Sequence, residues 1–153
     1  MKKTAIFPGS FDPITIGHES IIKRALPLFD EIIIAVGINS EKKCFFPLVK
    51  REAWIKQVFS AESKIKVKSY EGLTVDFCKK ENANYILRGL RTSADFEFER
   101  AIAQMNKSMA DNIETIFILT TPETSMITST IIRDIIRNGG DATQFVPKGI
   151  RLK

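Results

Sequence analysis

The sequence predicts an α/β fold built on a parallel sheet, and three observations predict it. Short apolar runs rich in β-branched residues recur along the 153 residues, with segments of helical spacing between them. The runs are apolar throughout, so they call for a sheet covered on both faces, with right-handed crossovers between parallel strands. No Pro/Gly/Ser-rich linker, low-complexity tract or internal repeat divides the chain. The economical reading is a single Rossmann-like domain over residues 1–153: a five-stranded parallel sheet with helices on both faces.

The first strand falls at Thr4-Ala5-Ile6-Phe7, and a helix with Ile21, Ile22, Ala25 and Phe29 on one face follows it. Ile32 to Val36 makes the second strand, and Trp54, Ile55, Val58 and Phe59 space the second helix. Ile65-Lys66-Val67 is the third strand, followed by a short helical segment marked by Leu73 and Phe77. Tyr85-Ile86-Leu87 is the fourth, and Phe98, Ile102, Met105 and Met109 form the stripe of the next helix. Thr115 to Leu119 is the fifth strand. The last helix carries Ile131, Ile132, Ile135 and Ile136 and stops at Asn138-Gly139-Gly140, a good C-terminal stop signal.

Composition excludes several function classes. With 44% hydrophobic and 27% charged residues the chain is neither disordered nor fibrous. Its longest apolar stretch, Ile32 to Ile38, is far short of the ~20 residues of a membrane span. Pro8, Gly9 and Asp12 interrupt any signal-peptide core after the basic opening, so the N-terminus is read as mature protein. Cys44 and Cys78 form no CxxC, and one histidine is present, which argues against a zinc site and for free thiols in a reducing cytosol. The net charge of +5 is spread over the whole length, which suits anionic small molecules and gives no nucleic-acid groove.

In a sheet of this kind ligands bind beyond the carboxyl ends of the strands, so the residues there come next. After the first strand, Pro8-Gly9-Ser10-Phe11-Asp12-Pro13 runs into Thr15-Ile16-Gly17-His18, which is neither GxGxxG nor GxxxxGK. The glycines let a ligand approach the backbone, and His18 enters a first helical turn whose dipole favours phosphate. Beyond the second strand lie Lys42 and Lys43, which alone read as surface charge. After the fourth, Arg88-Gly89-Leu90-Arg91 suits a rigid fork for phosphate oxygens, unless the arginines are solvated or paired with Asp95, Glu97 or Glu99. Thr92-Ser93-Ala94-Asp95 resembles a helix-capping box. The hydroxyl-rich stretch from Thr120 to Thr130 heads the last helix, where it serves as a cap or as a phosphate cradle. Together these strand ends describe a site that positions phosphates and neutralises charge, without a covalent nucleophile.

Thr15-Ile16-Gly17-His18 resembles the (H/T)xGH signature of the nucleotidylyltransferase superfamily, and Thr128-Ser129-Thr130-Ile131-Ile132-Arg133 resembles its second signature, of SSTxxR form. With Pro8 to Pro13, Arg88 to Arg91 and Ala94 to Glu99, the whole chain resembles the bacterial phosphopantetheine adenylyltransferase family. The resemblance implies cytoplasmic homohexamers that use Mg²⁺ and join ATP to 4′-phosphopantetheine, giving dephospho-coenzyme A and pyrophosphate. It implies that Ser10 and His18 meet the ATP phosphates, His18 stabilising the transition state at the α-phosphate. Lys42 and Arg88 would hold the acceptor phosphate with Ser10 and the backbone of Thr74. Phe11, Gly89, Leu90, Arg91, Glu99, Thr124, Ser125, Met126, Ile127, Thr128, Ser129 and Thr130 would line the ATP site. No protein ligand for the metal is assigned.

Three positions depart from the family pattern. Ser10 stands where threonine is usual, Ile16 where asparagine is usual, and Thr124 where some members carry tryptophan. None removes a charge. The implied reaction is in-line adenylyl transfer, with Lys42, Arg91 and Ser10 assisting His18. Rival readings are adenylyl or cytidylyl transfer to another phosphorylated acceptor such as nicotinate mononucleotide, or a catalytically inactive nucleotide-binding regulatory module.

Overall fold

The computed structural model describes residues 1–153 and alternates strands with α-helices throughout. β1 (Thr4–Gly9) leads to α1 (Ile16–Ala25), β2 (Glu31–Gly37) to α2 (Leu48–Val58), and β3 (Ile65–Tyr70) to α3 (Thr74–Lys80). β4 (Tyr85–Leu90) leads to α4 (Ser93–Met109), and β5 (Glu114–Leu119) to α5 (Ser129–Arg137). Every neighbouring pair is parallel, in the order β3-β2-β1-β4-β5. The chain thus winds from β1 to one edge, returns to β4 beside β1, and runs to the other edge.

Successive strand side chains take opposite faces, which builds two cores from one sheet. Ala5, Phe7, Ile32, Ile34 and Val36 pack with residues of α1, α2 and α5 and with Ala142, Val146 and Ile150. Ile6, Ile33, Ala35 and Ile86 face the other way, against Val75, Phe77 and Cys78 of α3. α1 ends as Pro27 approaches, because proline has no N–H to donate to the preceding turn, and a short 3-10 turn, Leu26–Leu28, replaces it. Phe29, expected on that helix, therefore lies beyond it, though still buried in the core.

Two expectations need correction. Strands apolar throughout and covered on both faces describe β1 and β2 but not the edges: β3 exposes Lys66 and Lys68, and β5 exposes Glu114 and Leu119. Each edge strand has one neighbour, and lysines along an edge discourage further pairing. The stripe Phe98, Ile102, Met105 and Met109 does form a helix, but α4 buries none of its residues. It touches the sheet through Phe96, whose ring meets that of Phe117 edge-on at 6.0 Å. Leu73 caps α3 from outside the helix and is exposed. No helix is long and apolar enough to cross a membrane.

Candidate active site

The strand order reverses between β1 and β4, and there the ladder is short. Ala5 pairs with Tyr85 and Ile6 with Ile86, whereas β1 and β2 stay paired to Gly9 and Val36, and β4 and β5 to Leu90 and Leu119. Past Ile6 and Ile86 the two central strands part, which opens a crevice beyond their carboxyl ends. Arg88 bridges it: its Nη1 donates to the carbonyl of Pro8 at 2.7 Å. Two cavities occupy the crevice, with Pro8, Gly9, Ser10, Arg88 and Glu99 as their common wall.

The first cavity, about 390 Å³, is completed by Lys42, Thr74, Tyr70, Asn39 and, from α4, Phe98, Ile102 and Asn106. The second, about 330 Å³, is completed by Thr15, His18, Gly89, Arg91, Thr124, Ile127, Thr128 and Ser129. The chain thus gathers Lys42 and Thr74 on one side of Ser10 and Arg88, and His18, Arg91 and the start of α5 on the other. Gly89 lets β4 pass close to α1, since a Cβ there would stand 3.2 Å from Ile21 Cγ1.

Arg88 is held as a fork. Its Nε and Nη2 donate to Glu99 Oε2 and Oε1 at 3.0 and 2.7 Å. With the Pro8 contact, three of the five N–H groups are used and two remain for a ligand. Arg91 pairs in the same way with Asp95, Nε to Oδ2 at 3.2 Å. The pairing foreseen as the alternative role of these arginines therefore exists, and it orients both guanidinium groups at the cavity wall.

His18 is fixed by its own helix end. Thr15, the N-cap of α1, accepts from the His18 backbone N–H at 3.2 Å, and the Thr15 N–H donates to His18 Nδ1 at 3.0 Å. Nδ1 is therefore an acceptor, and the ring proton resides on Nε2. Burial, and then the charges of Arg88 and Arg91, lower the imidazole from an ordinary 6.5 to about 4. His18 is thus a neutral N–H donor near neutral pH.

The remaining expected residues divide. Phe11 lines neither cavity; it is buried beneath the histidine, its ring edge-on to the imidazole at 4.9 Å, with its backbone in the left-handed region at φ 48°. Gly9 accommodates it, because a Cβ there would lie 3.1 Å from the Phe11 ring. Leu90 is buried in the sheet, and Ser125, Met126 and Thr130 stand outside both cavities. Thr128 caps α5, accepting from the Ile131 N–H at 3.1 Å, while Ser129 Oγ donates to the Pro13 carbonyl at 2.7 Å. Thr130 accepts from Arg133.

Tyr70, Asn39 and Asn106 in the first cavity, and Asp12, Arg51 and Arg133 behind the Ser10 loop, were not among the expected site residues. Tyr70 ends β3 and donates to or accepts from Thr74 Oγ1 at 2.9 Å, so the strand-end rule applied to β3 would have found it. Cys78 offers no chemistry: it is buried on the sheet-facing side of α3, and burial pushes its thiol up to about 11. No group of three or more His, Cys, Asp or Glu side chains converges on a metal position, and Glu99 and Asp95 are committed to arginines.

A family model described as cytidylyltransferase-like matches residues 6–135. A protein of Flavobacterium psychrophilum named phosphopantetheine adenylyltransferase is 59% identical over 151 residues, covering 99% of each chain. One of the same name from Bacteroides thetaiotaomicron is 47% identical over 150 residues, covering 98% of this chain and 99% of that one. Among solved structures, a bifunctional NMN adenylyltransferase/ADP ribose pyrophosphatase from Francisella tularensis superposes with a TM-score of 0.75 over 98% of this chain and 46% of that one. At 15% identity, that likeness speaks to the fold alone.

Proposed function

Because the chain belongs to the phosphopantetheine adenylyltransferase family of cytidylyltransferase-like proteins, we propose that it transfers the adenylyl group of ATP to 4′-phosphopantetheine. The products are dephospho-coenzyme A and pyrophosphate, and the reaction belongs to coenzyme A synthesis. The observation that carries this reading is the pair of cavities sharing the Ser10 and Arg88 wall. Two anionic substrates can enter from opposite sides and meet there.

On this reading Lys42 and Arg88, with Ser10 and Thr74, hold the acceptor phosphate in the first cavity. ATP occupies the second, among His18, Gly89, Arg91, Glu99 and the Thr124 to Ser129 stretch. An oxygen of the acceptor phosphate attacks the α-phosphorus, and the bond to the bridging oxygen breaks as pyrophosphate leaves with its electron pair. The attacking group is already an anion, so no general base is required. The obstacle is repulsion between anions, which the cations relieve, and orientation in such a site is worth up to ~7–11 kcal/mol in favourable cases. His18 meets the charge growing on the α-phosphate with its Nε2 proton, fixed in place by the Thr15 N–H. Neither cysteine lines either cavity, which leaves no thiol beside the proposed substrates to form a covalent intermediate. Mg²⁺, carried in on the ATP phosphates rather than held by protein carboxylates, would neutralise charge on the triphosphate.

Residues 1–153 are taken as one nucleotidylyltransferase domain, supported by the single continuous sheet. A homohexamer is proposed as the working form, and the exposed apolar residues of α4 supply a surface for it. A cytoplasmic location suits the two free cysteines. The decisive experiment mixes the protein with ATP, Mg²⁺ and one acceptor at a time, and identifies the nucleotide product by mass. Dephospho-coenzyme A from 4′-phosphopantetheine, with no product from nicotinate mononucleotide, is the expected result. Product from nicotinate mononucleotide alone would reject the acceptor assignment.

A further inference from the structure

Two side chains of opposite charge lie buried behind the shared wall without forming a direct ion pair. Asp12 is 3% exposed and Arg51 is 5% exposed, and neither takes part in an ion pair. Both spend their hydrogen bonds on backbone. Asp12 Oδ2 accepts from the Phe45 N–H at 2.7 Å, and Oδ1 from the Phe46 N–H at 2.9 Å. Arg51 Nε donates to the Phe46 carbonyl at 2.9 Å, and its Nη1 to the Ser10 carbonyl at 2.7 Å. Phe46 is thus gripped at both its N–H and its C=O, and Arg51 spans two loops.

A third tie comes from α5, where Arg133 Nη1 donates to the Asp12 carbonyl at 2.8 Å. The carbonyls on either side of Phe11 are therefore each held by an arginine, and Phe11 itself is kept in the left-handed conformation that bulky residues avoid. The loops so joined carry Ser10 and Lys42, and a small cavity within the second of them is lined by Lys42, Phe46 and Arg51.

Burying unpaired charge is costly, and an apolar pair of similar volume would stabilise a fold at least as well. What charge-assisted bonds to backbone provide instead is fixed geometry. We propose that Asp12 and Arg51 are positioning residues, clasping the segment that carries Lys42 onto the Ser10 loop and so setting where the acceptor phosphate sits relative to the shared wall. The identity of that acceptor rests on the reading above; the clasp itself does not.

Amide hydrogen exchange on the intact wild-type protein tests the clasp directly. The Phe45 and Phe46 amides should exchange on the order of 100-fold more slowly than those of Lys43 and Cys44, which donate to no backbone acceptor. Equal rates would overturn the proposal without any variant. Arg51→Met should release that protection while the amides of β1 keep theirs. In steady-state kinetics it should raise KM for 4′-phosphopantetheine on the order of 10-fold and leave KM for ATP within about 3-fold. Arg51→Lys should recover part of the loss, because an ammonium reaches one of the two carbonyls. Asp12→Asn places an N–H₂ against a backbone N–H and should give the Arg51→Met pattern.

A folded Arg51→Met protein in which both KM values rise together, or neither moves, makes the contact merely structural and overturns the positioning role. If Arg51→Met does not fold, the wild-type exchange rates and Arg51→Lys decide. A wild-type protein that makes no dephospho-coenzyme A defeats the functional reading instead, and the exchange experiment then judges the clasp alone.

Discussion

Thr15 decides what His18 can do. By donating its N–H to Nδ1 it confines the ring proton to Nε2, and the surrounding burial keeps the ring neutral. His18→Ala should therefore reduce turnover by about 100- to 1000-fold while changing ATP binding little, as expected for a donor whose contact strengthens as charge develops. Steady-state kinetics beside equilibrium ATP binding separate the two effects. The same histidine links pH to stability. Above its ordinary value of 6.5 the folded and unfolded chains both carry it neutral; between 6.5 and about 4 the unfolded chain takes the proton and the folded one does not. Stability should fall across that window by up to about 3 kcal/mol from this group. Urea unfolding of wild type and His18→Gln at pH 7 and pH 5 should show the smaller loss in the variant. Arg88→Lys should be poorly tolerated too, since one ammonium cannot hold Glu99, the Pro8 carbonyl and a phosphate at once; a KM for 4′-phosphopantetheine close to that of wild type would contradict this. His18, Arg88 and Arg91 were legible in the sequence because they sit where strands end, and Lys42 became a candidate only with the family pattern beside it. Asp12, Arg51 and Arg133 were not, because a side chain that bonds backbone far away along the chain leaves no periodicity or spacing to read.

Elements were legible where burial imposes a pattern on both faces, as in β1 and β2, and less so where one side is open. β3 could be recognised by its valine and isoleucine, but its lysines become intelligible only once it is an edge. α4 shows the limit most clearly, because the helical stripe predicts a helix and does not say what covers it. A helix with no buried residue draws little stability from its own chain, so its end caps weigh more than usual. Thr92 caps it, accepting from the Asp95 N–H at 3.2 Å, and Asp95 in turn orients Arg91. Thr92→Ala should cost about 1 kcal/mol in stability and should raise KM for ATP more than KM for 4′-phosphopantetheine, since the loosened turn carries the Arg91 partner. Thermal melts and separate substrate titrations measure the two halves of this expectation.

At the scale of the whole molecule, the exposed stripe of α4 is the feature that points beyond one chain. Phe98 is 69% and Met105 63% exposed, large apolar side chains on one helix that its own chain leaves uncovered. Met105→Glu should shift the protein toward smaller species in light scattering, while the sheet and its two cores keep the fold; an unchanged mass would remove α4 from the assembly surface. Phe98, Ile102 and Asn106 of this helix also wall the first cavity, and Asp95 and Glu99 from its first two turns wall the second. With α4 as the proposed assembly surface, mass action would reach the two substrates unequally. On the proposed assembly, dilution would part the subunits and uncover α4, and affinity for the acceptor, whose cavity takes more of this helix, should decline more than affinity for ATP. Enzyme concentration would itself become an input to catalysis, visible as a KM for 4′-phosphopantetheine that climbs on dilution; a KM constant across the dissociation range would show that α4 stands on its own.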